Sequence, residues 1–204
     1  MMQGLRGLFK RQDEWTLHEV VNRIIEINED NETFWSNAHG WAPIAAADLL
    51  SISRLDWQTS LSYTLKKWIN EGAREGASAD GSLILAWANL GALVEGTMKL
   101  LLCVYYVTYK DDPDAILIND YNKGVRVIAE PDAVKFDRMR VFFKKRVWTA
   151  EQAHWDNWVL EIQQKRNVIH AFKHRELGSF DDFYSHLRKY LEFLQIINSR
   201  LPRP

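Results

Sequence analysis

Cysteine is almost missing: Cys103 is the single one in 204 residues. An intrachain disulfide and a Cys-rich zinc site are therefore excluded. Cys103 lies inside an apolar run, which reads as a buried, inert thiol. Also lacking are repeats, low-complexity tracts and convincing strands. No Walker loop, dinucleotide fingerprint, serine-hydrolase elbow or His-Asp metal doublet occurs. His18, His39, His154, His174 and His186 have no partners at metal-ligand spacing, so neither a metal nor a cofactor is expected. Met1–Lys10 is short, glycine-broken and followed by charge, without the apolar stretch of a secretory leader. These absences together lead to the expectation of a cytoplasmic protein.

Net charge is nearly absent as well, at −1, but its distribution is uneven. Residues 1–130 hold 12 Lys and Arg against 18 Asp and Glu, whereas residues 131–204 hold 14 against 9. The basic part is where a polyanion would be sought; solvated helix faces would give the same bias.

Hydrophobic residues make up 47% of the chain, with nine Trp, nine Phe and seven Tyr, which is ample for a packed core without staples. We expect one helical domain over residues 1–204: an all-α bundle of four to six helices with a loop insertion at about 110–131. Thr16-Leu17-His18-Glu19 has capping-box form, followed by Val20, Val21, Ile24 and Ile25 at helical spacing. Pro43 suits the first turn of a second helix reaching about Asn70. Glu71–Asp80 is a Gly/Ala/Ser linker.

A long helix is expected from Ser82 to about Tyr109. It is apolar enough to raise the question of a membrane span, but Glu95 and Lys99 sit in its middle, where an ion pair would be costly in lipid. The expectation is a buried central helix and no membrane association. Asp111 to Glu130 reads as a surface loop, with a possible short helix opened by Asp112-Pro113-Asp114 and a turn at Asn122-Lys123-Gly124. Asp132 to Trp148 reads as a basic helix. Thr149-Ala150-Glu151-Gln152 is a second capping box, opening a helix through Phe172, and Ser179 with Asp182 caps a last helix to about Ser199.

Chemistry concentrates in Lys165-Arg166-Asn167-Val168-Ile169-His170-Ala171-Phe172-Lys173-His174-Arg175. Arg166 and His170 are four apart, so an unbroken helix would stack them on one face. A guanidinium fork suits a phosphate, and an imidazole moves protons near neutral pH. The same pair is also what an amphipathic helix with a basic tail would carry.

RNVIHAF resembles the signature of the HEPN superfamily, helical bundles with an Arg, a polar residue and then a His. Glu95-Gly96-Thr97-Met98-Lys99 is similar to the Glu-x-x-x-Lys motif of many members. The resemblance covers roughly residues 82–195. It implies an RNA-directed protein: a metal-independent endoribonuclease of a toxin–antitoxin or phage-defence system, or alternatively an inactive helical RNA-binding or protein-interaction module.

It implies Arg166, Asn167, His170 and Glu95 as the catalytic set, with Glu95 holding Arg166 or His170 in place. Lys99, Lys144, Lys145, Arg146, Lys165, Lys173 and Arg175 would contact RNA. The implied partners are RNA, a second copy of the chain in a homodimer, and an antitoxin or defence-system protein. Three residues separate Arg166 from His170, fewer than the family pattern usually has. Phe172 stands where members silenced by nucleotidyl transfer have Tyr, so that control is not expected here. Lys135, Arg138, Arg140 and Lys144–Arg146, interleaved with Val141, Phe142 and Phe143, read either as an RNA-backbone track or as an ordinary amphipathic helix.

Overall fold

A computed structural model describes residues 11–70, 74–120, 124–170 and 176–202. It is 75% helical with one small sheet, so the all-α expectation holds. Eight α-helices occur among the described residues, more than the four to six expected: α1 (Leu17–Trp35), α2 (Ile44–Ile52), α3 (Leu55–Trp68), α4 (Ala79–Val104), α5 (Tyr106–Asp111), α6 (Phe136–Arg146), α7 (His154–Arg166) and α8 (Phe180–Arg200).

Two breaks account for much of the surplus. The helix expected from Pro43 to Asn70 divides at Ser53-Arg54. Ser53 is extended, and its backbone N–H and hydroxyl both turn back onto the Leu49 carbonyl, which ends α2 there. The long central helix likewise divides at Tyr105 (φ −97°, ψ 29°) into α4 and α5.

The three capping boxes form. Thr16 accepts from the Glu19 N–H, and Ser179 from the Asp182 N–H, while each acid reaches back to the cap. Thr149 and Gln152 form theirs on a 3-10 turn, Ala150–Gln152, one turn before α7 begins. α1 then buries Val20, Val21, Ile24, Ile25 and Ile27 against α3 and α8.

The segment expected to be loop holds a hairpin. β1 (Leu117–Asp120) pairs antiparallel with β2 (Val125–Ile128), Leu117 opposite Ile128 and Asp120 opposite Val125. The β-branched run Val125-Arg126-Val127-Ile128 favours a pleated, half-buried surface. Gly124 (φ 65°) turns the chain and donates to the Asp120 carbonyl at 2.8 Å. Asp112-Pro113-Asp114 opens no helix; it is a turn after α5 in which Asp112 accepts from the Asp114 N–H.

α4 is the centre of the bundle. By length and hydropathy it would pass as a membrane span, yet it packs against α2, α3, α7 and α8 and buries Trp87, Leu90, Leu93, Val94 and Met98 completely. Gly96 admits α3: a Cβ there would fall 2.2 Å from Gln58 Oε1, and Gln58 uses the space to donate to the Leu93 carbonyl at 2.8 Å. Tyr190 on α8, wholly buried, meets the Thr97 hydroxyl at 3.1 Å. Burial pushes the Tyr190 hydroxyl up to about 12, so it stays protonated. Cys103 is buried as expected, and desolvation pushes its thiol up to about 12.

Candidate functional site

The site forms where α7 ends against the middle of α4. Arg166 is the last residue of α7, and its stem crosses α4 at Gly91. A Cβ on Gly91 would meet Arg166 Cβ at 2.6 Å and its Cγ and Cδ at 2.8 Å, so only glycine admits this crossing. One turn further along α4, Glu95 takes the guanidinium, Arg166 Nη1 to Glu95 Oε2 at 2.5 Å. The contact expected between Glu95 and Arg166 is therefore present.

Glu95 is shared. Its other oxygen receives Lys99 Nζ at 3.0 Å, and Lys99 also donates to the Asp132 carbonyl at 3.2 Å. The Phe136 ring lies 5.7 Å from the Arg166 guanidinium carbon. The Glu95 side chain is 14% exposed, Lys99 28% and Arg166 35%. Solvent thus meets the two cations, while the carboxylate that fixes them sits behind. Two cations on one carboxylate leave one positive charge in excess, and most of the five guanidinium N–H donors remain for a ligand.

His170 is placed differently from expectation. The α-helix stops at Arg166, and Asn167–Ile169 wind as a 3-10 turn closed by the His170 N–H on the Asn167 carbonyl at 3.2 Å. Asn167, Val168 and Ile169 are poor helix formers, and Val168 is buried against α4, which draws the chain inward. The tighter winding, about 120° per residue against about 100°, turns His170 further round than an unbroken helix would, so it does not stack directly over Arg166. The His170 side chain is exposed and has no partner among the described residues; Asn167 is half-buried.

The expected RNA contacts divide. Lys165 is half-buried, donating to the Glu176 carbonyl at 3.2 Å with its ammonium 5.6 Å from the Trp87 ring centre. Lys144 pairs with Asp156 at 3.1 Å, Lys145 with Asp114 at 3.0 Å, and Arg146 with Asp112 at 3.0 Å and Asp114 at 2.9 Å. The Lys145 and Arg146 cations hold the Asp114 carboxyl below the usual range. Those three cations on α6 are thus neutralised by acids within the fold. Lys173, Arg175 and Phe172 lie outside the described residues.

Sequence reasoning missed Gly91, Phe136 and Asp156. Asp156, its side chain 5% exposed, also takes Arg140 at 2.5 Å and so ties α6 to α7. His186 is another buried polar group. Its Nδ1 accepts from Trp158 Nε1 at 2.9 Å, and its Nε2 faces Glu161 at 3.2 Å. Burial holds its pKa below the ordinary value, against the pull of Glu161. Among the described residues no three His, Cys, Asp or Glu side chains converge as metal ligands.

Comparison with family models, curated proteins and solved structures finds no match to this chain.

Proposed function

We propose that the chain is a HEPN-like, RNA-directed protein that cleaves RNA without a metal, in the cytoplasm, as part of a toxin–antitoxin or defence system. The observation that carries this reading is the Arg166 guanidinium, fixed by Glu95, open to solvent and four residues before a His170 that has no partner among the described residues. Arg166 would donate to the non-bridging oxygens of a phosphodiester. His170 would take the proton of the ribose 2′-hydroxyl as its oxygen attacks phosphorus. The bond from phosphorus to the 5′-oxygen then breaks, that oxygen takes a proton from water, His170 returns its own proton to solvent, and a 2′,3′-cyclic phosphate remains. Asn167 supplies an amide for orientation, and Glu95 acts as a positioning residue. A homodimer bringing two such helix ends to one cleft belongs to the same reading, as does an antitoxin covering it.

The second reading, an inactive RNA-binding or protein-interaction module, is favoured by the end of α7 at Arg166, which breaks the helical stacking of His170 on Arg166. Labelled RNA incubated with purified protein in chelator separates the two. The nuclease reading expects wild-type cleavage that His170→Ala abolishes while RNA binding by fluorescence anisotropy persists. Binding without any cleavage by the wild type overturns it in favour of the module.

A further inference from the structure

The basic surface expected along α6 splits into two unlike ends. Toward its C-terminus, Arg140, Lys144, Lys145 and Arg146 are all consumed by Asp156, Asp112 and Asp114. Toward its N-terminus, Lys135 and Arg138 lie one turn apart and face the hairpin across a slot of about 690 Å³. Arg126, on β2 opposite Asn119, supplies the far wall. Among the described residues no carboxylate lines this slot. Arg126 and Lys135 are exposed and have no partner among the described residues, while Arg138 donates to the neutral Leu117 carbonyl at 2.8 Å. Three cations around a concave surface with no acid in its described lining are an electrostatic focus for an anion.

We propose that the slot between the β-hairpin and the start of α6 holds the phosphate backbone of single-stranded RNA through Arg126, Lys135 and Arg138. The inference rests on the RNA-directed reading and gives it a track. Phe136, next after Lys135, is the ring beside which Arg166 lies, so the slot and the Arg166 site share the first turn of α6. Buried Ile116 and Val134 form an apolar floor for a ribose or base, and the cations of the rim meet phosphates. A flexible strand enters such a slot; a flat bilayer would touch only its rims.

The test uses 2′-O-methyl polyuridine, which keeps the phosphates but lacks the attacking hydroxyl, so binding is measured apart from cleavage. Anisotropy titrations run from about 50 to about 200 mM salt. Arg126→Ala with Lys135→Ala is expected to weaken binding by roughly tenfold and to flatten the log–log salt slope by about 1.4, two phosphate contacts on a single strand. Lys144→Ala with Lys145→Ala should bind like the wild type. The proposal is overturned if the Arg126/Lys135 variant binds as the wild type does. It is equally overturned if the wild type ignores RNA and binds phosphatidylserine vesicles instead. Tight, slot-dependent binding with no cleavage of unmodified RNA would sink the nuclease reading and support the slot. Cleavage with slot-independent binding would do the reverse.

Discussion

Substituting Gly91 by alanine tests the geometry on which the Arg166 site depends. In an ordinary helix interior this change stabilises by about 0.8–1 kcal/mol, because glycine loses more backbone freedom on folding. Here the added methyl would stand 2.6 Å from Arg166 Cβ and 2.8 Å from Cγ and Cδ. The nearest of these atoms is fixed to the backbone of α7, so a rotamer change alone cannot clear it. Either α7 retreats from α4 or Arg166 is levered off Glu95. Overpacking of this kind costs about 1–3 kcal/mol, which outweighs the propensity gain and leaves a net loss of about 1 kcal/mol. In a chain of this size that lowers Tm by about 2–4 °C. Gly81→Ala is the control, since the space around Gly81 is open; it should raise stability by a few tenths of a kcal/mol or more. Urea or thermal unfolding followed by circular dichroism reads both. If Gly91→Ala stabilises as much as Gly81→Ala, the close crossing is refuted, and with it the placement of Arg166 on Glu95.

Two further outcomes follow from buried polar groups. Asp156→Ala removes the acid that Arg140 and Lys144 share, and should cost about 2–3 kcal/mol in urea unfolding, below the 3–5 of a fully buried pair because Lys144 reaches solvent; a loss under about 0.5 kcal/mol, the scale of a surface pair, would contradict the assigned burial. His186 has a depressed pKa, so below about 6.5 the unfolded chain takes up a proton that the folded chain refuses, and stability present at neutral pH is lost as pH falls. Denaturant unfolding at stepped pH should show a shallower acid loss for His186→Gln than for the wild type, and equal slopes would rule His186 out as the group responsible.

Local patterns survive from sequence to structure where side chain and backbone settle the matter between near neighbours. The boxes at Thr16, Thr149 and Ser179 need only residues three apart, and each is found. The apolar run of α4 likewise announces a core element whatever surrounds it. The break at Ser53-Arg54 was hidden because apolar spacing continues through it from Leu49 and Ile52 to Leu55. The hairpin was hidden by brevity: two strands of four residues barely register against helix, although Val125-Arg126-Val127-Ile128 after Asn122-Lys123-Gly124 was a usable signal. Asn167 and the β-branched pair after it marked the end of α7, but the pull of buried Val168 toward α4 is tertiary. The Glu95–Arg166 meeting was legible as a motif pair; the glycine that permits it could be recognised only once Arg166 was seen lying across it.

The surplus of cations after residue 130 takes on meaning from where the acids fall. Asp112 and Asp114 precede the hairpin and Asp156 follows α6, yet all three fold onto the same end of that helix. They bind the late cations of α6 and leave its early ones alone. The hairpin brings Arg126 to that unneutralised end, and the 3-10 turn Pro131–Ala133 brings the Asp132 carbonyl to Lys99 on α4. Phe136 then links the two regions, its ring beside Arg166 on one side and its chain neighbour Lys135 in the slot on the other. Positive charge on this face is therefore concentrated around the first turn of α6, where the helix dipole adds to it. Asp137 in that turn is exposed but does not line the slot, so it tempers the field without closing the surface. RNA bound as proposed would meet the slot cations first and the tethered pair at Arg166 and Lys99 next, with the later cations of α6 already paired to acids.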